Sequence, residues 1–198
     1  MEDDNQRLHI VYENTFRLLT YLGYPSTQPI ENQNNYNAVL ARYGHVIIVG
    51  ENKEGEKQTA VILHPNSSDM VGNKIVNLIA KQHKKVILIV NKNKQRISLY
   101  KKVRENPKTK SHVVISGVYD YLIYYFPDHI TFTKYEIMTD EEFNKFSTIE
   151  NKTVTQLPCI YASAEPYIFW SGAVPGNKVK CMRYSYTAGM TVFYRRVL

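Results

Sequence analysis

Three six-residue segments, His45–Gly50, Gln58–Leu63 and Lys85–Val90, are dominated by valine, isoleucine, leucine and alanine. Such runs are too short for ordinary helices. They lack the polar alternation of a strand with one wet face, so they read as buried strands that other elements must cover. The first two are joined by a polar connection containing Gly55 and predict a hairpin. Between the second and third, residues 68–82 place Val71, Ile75, Leu78 and Ile79 at helical spacing, with Ser67 or Ser68 as the candidate N-cap. A strand, a helix and a strand over residues 58–90 predict an α/β sheet.

Around this centre the chain supplies further elements. Leu8, Val11, Tyr12, Leu18, Leu19 and Leu22 predict an amphipathic helix over 5–22 that stops at Gly23. A weaker helix is expected over 33–42. Residues 96–103 are ambiguous between helix and strand, a loop surrounds Pro107, and 112–117 and 119–126 read as strands. The last of these is aromatic, with Tyr119, Tyr121, Tyr124, Tyr125 and Phe126 in eight residues. Stacked bases would use such a platform, but the interspersed Leu122 and Ile123 favour a half-buried strand.

The pattern changes near Pro127. Beyond it, Thr139 and Glu142 have capping-box spacing ahead of a helix expected to run to about Thr148. Pro166 suits the first turn of a short helix through Trp170, and residues 177–182 and 190–198 read as two final strands. The organisation expected is therefore mixed α/β (α+β). An N-terminal α/β domain with a mixed sheet spans 1–127, and a smaller mixed α/β domain spans 128–198. A chain of 198 residues is long enough for that and for a proper core.

Its two cysteines, Cys159 and Cys181, are too few for a disulfide scaffold. The opening residues are acidic and polar, with no apolar segment of a secretory leader or a membrane span. A soluble intracellular protein without a membrane partner is expected.

The charge is concentrated. Residues 81–110 hold eleven cations against one acid, Glu105, a local net of +10 in a chain whose total is +7. A lysine run is ordinarily a solvated face. Its functional reading is a phosphate-facing surface that neutralises charge without reading bases, since only Arg96 and Arg104 among the eleven carry the fork that base edges favour.

Catalytic patterns are sparse. Gly50 and Gly55 are spaced like P-loop glycines, but Glu56-Lys57-Gln58 follows in place of lysine and a hydroxyl residue. The six histidines are not spaced as metal ligands, and neither cysteine has a C-x-x-C partner. Glu51-Asn52-Lys53 has the acid-x-lysine half of a metal-dependent nuclease site, for which Glu31 is a poor second carboxylate. No catalytic residue, metal or cofactor is expected.

The last seventy residues carry a series of motifs. Leu157, Pro158 and Ile160 form a leucine-proline-x-isoleucine element. Glu165 and Pro166 open a short helix ending at Trp170. Gly172 and Gly176 lead to Val179 and Lys180. Arg183 to Thr191 and Tyr194-Arg195-Arg196-Val197 complete the series, and upstream Lys134 through Glu142 gives a strand and a helix start. This series resembles the shared fifth subunit of eukaryotic RNA polymerases I, II and III, whose C-terminal part by itself constitutes the archaeal counterpart. Tyr186, Met190 and Thr191 stand where that family has Glu, Arg and Tyr, and Tyr167-Ile168-Phe169-Trp170 replaces its Val-x-x-Tyr helix. The departures mark a divergent member, of a reduced eukaryote or a large DNA virus.

The resemblance implies a non-catalytic polymerase subunit. Its C-terminal domain docks on the largest subunit, with other polymerase subunits as partners, and its N-terminal domain forms part of a jaw beside downstream double-stranded DNA. The expected interface residues are Pro158, Pro166, Trp170, Gly176, Thr187, Gly189, Tyr194 and Arg195, with Trp170 also a core candidate. The expected DNA-proximal residues are Lys92, Lys94, Arg96, Lys101 and Lys102, contacting phosphates without sequence preference. The location implied is the nucleus for a cellular protein, and the infected-cell cytoplasm or virion for a viral one. A free-standing nucleic-acid-binding protein and a metal-dependent nuclease on the N-terminal sheet are the alternatives.

Overall fold

The computed structural model describes residues 2–65, 69–129, 133–162, 164–185, 187 and 189–198. The chain divides into two units, Met1–Tyr125 and Phe126–Leu198. Both are mixed α/β.

The first unit contains helices α1 (Glu2–Tyr21), α2 (Gln33–Tyr43), α3 (Asp69–Ala80) and α4 (Asn93–Glu105), and strands β1 (His45–Glu51), β2 (Lys57–Leu63), β3 (Lys85–Val90) and β4 (Val113–Val118). The strands lie in chain order in one sheet, β1-β2-β3-β4. β1 and β2 form an antiparallel hairpin with Ile47 opposite Val61, while β2, β3 and β4 run parallel with Val61 beside Leu88 and Ile87 beside Ile115. Two right-handed crossovers taken in the same direction place their helices on one face. α3 and α4 accordingly share one core, in which Ile75, Val76, Ile79, Leu99 and Val103 meet alternate sheet residues Val61, Leu63, Val86, Leu88, Val90, Val114 and Val118. The intervening Ala60, Ile62, Ile87 and Ile89 are equally buried, and they face the side covered by α1 and α2. Burial on both faces explains why these strands read as continuous apolar runs.

α1 buries Leu8, Val11, Tyr12, Phe16, Leu18 and Leu19. Tyr12 stacks on Tyr36 of α2 with ring centroids 4.3 Å apart. The segment after α1 then crosses β1. The Pro25 carbonyl accepts from Glu51 N, and the Gln28 side-chain oxygen accepts from Val49 N, each at 3.2 Å. A β-carbon on Gly50 would overlap the Tyr24 carbonyl, so glycine here permits close approach of two backbones. The pairing of Gly50 with Gly55 has no phosphate-loop meaning: Gly50 is a strand residue, and Asn52 Oδ1 accepts from Glu54 N and Glu56 N to organise the hairpin turn.

One open reading is settled and one expectation needs revision. Residues 93–105 form a full helix, and residues 119–126 are not a strand. Tyr119–Tyr121 is a single 3₁₀ turn, closed by Leu122 N donating to the Tyr119 carbonyl at 2.8 Å. Tyr119 and Leu122, three apart, are both buried, a spacing a turn satisfies and a pleat does not. The Tyr119 hydroxyl donates to the Leu63 carbonyl, and Asn14 Nδ2 of α1 donates to the Leu122 carbonyl at 2.6 Å, which claims a backbone group that a strand would place in a ladder. The N-cap candidates Ser67 and Ser68 lie outside the described residues.

The second unit contains β5 (Lys134–Ile137), α5 (Asp140–Glu150), β6 (Cys159–Ile160), α6 (Pro166–Ser171), β7 (Lys178–Ser185) and β8 (Gly189–Val197). Its sheet order is β5-β7-β8-β6; β7 and β8 form an antiparallel hairpin and β6 pairs parallel with β8. Ile168, Ala173, Val179 and Val197 form its core, with Tyr135, Ile160 and Ala162 packed against it. The capping box forms at α5: Glu142 N donates to Thr139 Oγ1 at 3.2 Å, and Thr139 N donates to Glu142 Oε2 at 2.8 Å.

Gly50→Ala should therefore destabilise the chain by about 2 kcal/mol or more through overpacking, measured by urea unfolding. Gly55 lies in an open turn with φ +81°, and Gly55→Ala should cost only about 1 kcal/mol from conformation. Equal effects at the two positions would contradict the close approach at Gly50.

Candidate subunit and nucleic-acid interfaces

In the first unit, α4 carries the cationic segment. Leu99 and Val103 hold it to the sheet, and that fixes which residues face outward. Lys94, Ile97, Lys101 and Arg104 fall at spacings of three and four and are all exposed, forming a solvent stripe. Lys92 is exposed at the N-cap position and Lys102 is half-buried at the stripe's edge. Lys101 Nζ lies 3.9 Å from Glu105 Oε1 with both groups largely exposed, a contact worth little in water. Lys81, Lys84, Lys108 and Lys110 are exposed as well.

Two of the eleven cations do not contribute to this face. Lys85 Nζ bonds Tyr24 Oη at 2.6 Å and Glu56 Oε2 at 2.8 Å, so its charge is engaged locally; the Glu56 bond raises the lysine pKa, and the same bond lowers that of Glu56. Arg96 is 4% exposed. It occupies a core position of α4, on the same face as Leu99 and Val103, and corrects the expectation that it contacts DNA from the surface. Arg104 is an exposed cation outside the five expected near DNA; its spacing of seven residues from Ile97 and ten from Lys94 is the signal that marks it.

In the second unit, the β7–β8 hairpin projects beyond the core. Tyr184 pairs with Met190 and Met182 with Val192 across the ladder, which puts these four and Tyr194 on one face. Tyr184 is 66% exposed and Met190 63%, large side chains turned to solvent. Further along that face Tyr194 packs against Phe146 of α5, ring centroids 4.0 Å apart and planes tilted by 33°. Two grooves flank this pair. One, of about 440 Å³, brings together Pro158, Tyr194 and Arg195 with Leu157 and Val192. The other, about 550 Å³, is lined by Lys180, Tyr194, Ile149 and acids Glu136 and Glu142. Thus three of the expected interface residues converge in one groove.

The others lie apart. Gly176 is an exposed turn residue with φ +99°, Pro166 is the half-buried first residue of α6, and Thr187 is exposed at the hairpin tip. Gly189 has φ +66° and open space where a β-carbon would lie, so its constraint is backbone conformation. Trp170 has no exposed surface, which makes it a core residue and corrects its assignment as an interface anchor. Tyr186 and Ala188 lie outside the described residues.

The carboxylates considered for a nuclease are engaged elsewhere. Glu51 Oε2 lies 3.5 Å from Lys57 Nζ across the hairpin, and Glu31 Oε2 accepts from Asn35 Nδ2 at 3.1 Å. Among the described residues no three His, Cys, Asp or Glu side chains gather as a metal site. No helix among them is long and apolar enough to cross a membrane.

Residues 125–197 match the family described as RNA polymerase Rpb5, C-terminal domain. The second unit thus has the fold of a subunit domain from a multisubunit RNA polymerase, and residues 1–124 lie outside that match. The subunit Rpo5 of the DNA-directed RNA polymerase of Archaeoglobus fulgidus is 41% identical over 71 residues, 36% of this chain and 92% of the archaeal one. Rpo5 of Methanocaldococcus jannaschii is 39% identical over 71 residues, covering 36% and 90%, and Rpo5 of Nitrosopumilus maritimus is 38% identical over 72 residues, covering 36% and 86%. The chain belongs to the Rpb5/Rpo5 family, the fifth subunit of DNA-directed RNA polymerases. It is an accessory subunit, and its partners are other polymerase subunits.

The start of α5 carries a pH dependence. The Lys178 ammonium, 2.5 Å from Asp140 Oδ1, holds that carboxyl below the usual range, and the Thr139 backbone N–H does the same for Glu142. Lowered folded pKa values mean a contribution complete above about pH 5, where the unfolded carboxyls are ionised, and lost as pH falls through the folded values. Asp140→Asn and Glu142→Gln should lower stability at pH 7 and have no effect near pH 2, as read by denaturant midpoints across pH. A constant difference at both ends would contradict the assignment.

Proposed function

We propose that the second unit docks this subunit on the largest polymerase subunit through the exposed face of the β7–β8 hairpin and the groove of Pro158, Tyr194 and Arg195. The first unit serves as part of a jaw beside downstream duplex DNA during transcription. The observation that carries the docking role is the solvent-facing Tyr184–Met190 pair, 66% and 63% exposed, inside the family-matched unit. Apolar side chains cost little to desolvate, and their placement on paired strands limits the backbone entropy lost on association, which suits a permanent interface. A groove with Arg195 at its wall adds a charged contact that orients the partner.

The α4 stripe supports the jaw role. A jaw must hold the duplex while it translocates, so its contacts should be salt-labile and blind to sequence. Lys92, Lys94 and Lys101, with Lys102 at their edge, meet that requirement as point charges on a helix packed on the sheet, and Arg104 adds a fourth exposed cation. Arg96 drops out of the surface set because it is buried.

The two roles separate experimentally. Tyr184→Asp with Met190→Asp should lower recovery of the largest subunit in co-purification by at least about tenfold, while the free chain keeps its unfolding midpoint; stoichiometric recovery would refute the docking surface. Reversing Lys92, Lys94, Lys101 and Lys102 in the assembled polymerase should weaken retention of downstream duplex and flatten its dependence on salt by roughly 0.9 in log–log slope for each phosphate no longer neutralised. An unchanged slope would refute the DNA-facing role.

A further inference from the structure

We infer that the N-terminal end of α4 is a binding site for a single phosphate group, held by Arg96 from below and by the helix's own N–H groups from above. This deepens the DNA-facing reading of α4 and rests on it only for the identity of the phosphate's carrier.

Arg96 lies at a core position, yet no carboxylate pairs with it among the described residues. Its Nε donates to Asn93 Oδ1 at 2.8 Å, and its Nη2 is buried with no hydrogen-bond partner. An arginine in this position stays protonated, so the unit carries an uncompensated buried cation, an arrangement that is unfavourable unless an anion completes it. Burial lowers the guanidinium pKa, with only Tyr121 and Tyr100 nearby acting against that fall.

The direction of the side chain points to where the anion goes. Side chains on a helix lean toward its N-terminus. The bond to Asn93, the first residue of α4, draws the guanidinium back to the opening turn. That turn is ready for an anion. Its N-cap is Lys92, which makes no side-chain cap, and its first turn holds no acid. The backbone N–H groups of Asn93 and Lys94 have no partner within the helix, and the helix dipole is positive there. Lys92 and Lys94 are exposed on either side of Asn93, itself exposed, so the opening turn to which the guanidinium is bonded is open to an anion from solvent. The thirteen residues of α4, fixed by Leu99 and Val103, hold the parts in place.

The carrier is a backbone phosphodiester of duplex DNA or a free phosphate or nucleotide, and the experiment separates them. The full chain is melted in inorganic phosphate and in chloride at matched ionic strength and pH. The wild type should gain about 2–4 °C specifically from phosphate. Asn93→Asp puts a carboxylate against the guanidinium, so it should melt higher in chloride and lose the phosphate response. Arg96→Met should also lose the response. No phosphate-specific gain in the wild type, or the same gain in both variants, would overturn the site.

Binding of a short duplex, followed by fluorescence anisotropy, is the second arm. A weaker complex with Arg96→Met, its salt slope lower by about 1, identifies the carrier as DNA. Unchanged duplex binding alongside a lost phosphate response identifies a free phosphate or nucleotide. If reversing Lys101, Lys102 and Arg104, which lie away from the opening turn, leaves duplex binding intact while the phosphate response persists, the jaw reading fails and the anion site stands.

Discussion

The clamp of α4 on the sheet through Leu99 and Val103 is the interaction on which the first unit's surface chemistry depends. A helix has one angular degree of freedom about its axis, and two buried residues at i and i+4 remove it. Once they are seated, Lys94, Lys101 and Arg104 must face solvent and Arg96 must face inward. The distribution of charge is thus a consequence of packing. Shifting the apolar pair by one position would turn the stripe by about 100° and bury a different cation.

The second unit rests on a different constraint. Its core is small, built around Ile168, Val179 and Val197, and the β7–β8 ladder is longer than that core can cover. The distal half of the hairpin is therefore held chiefly by backbone pairing, from Arg183–Thr191 outward to Ser185–Gly189, with Tyr184 and Met190 turned to solvent. A strand pair that continues past its own core is best stabilised by another surface, as expected of a chain whose family works inside a large assembly.

Much of this is legible in the residues, for identifiable reasons. β2 and β3 can be read because a continuous apolar run this short suits a strand buried on both faces and is too short for an ordinary helix. α5 is marked by Thr139 and Glu142, whose reciprocal bonds depend only on local spacing. α4 is obscured by Arg96: a charged residue at a position equivalent to Leu99 and Val103 breaks the apolar period that announces a helix, and on sequence alone the same residue reads as a surface cation. The 119–126 segment misleads because aromatic residues favour strands on average. What decides its shape is two distant partners, Leu63 and Asn14, that no local pattern can reveal. Pro158, Tyr194 and Arg195 can be named from motifs, but their convergence needs the parallel pairing of β6 with β8. Trp170 cannot be placed from sequence, since aromatic side chains dominate cores and interfaces alike.

The central claim is that the hairpin face bearing Tyr184 and Met190 is covered by the largest polymerase subunit. A photo-crosslinking residue at position 190 of the assembled polymerase tests it most directly. The account predicts one dominant adduct, with the largest subunit, that disappears when the crosslinker is moved to exposed Thr153. No adduct with the largest subunit from position 190, or an adduct pattern identical at the two positions, would contradict it.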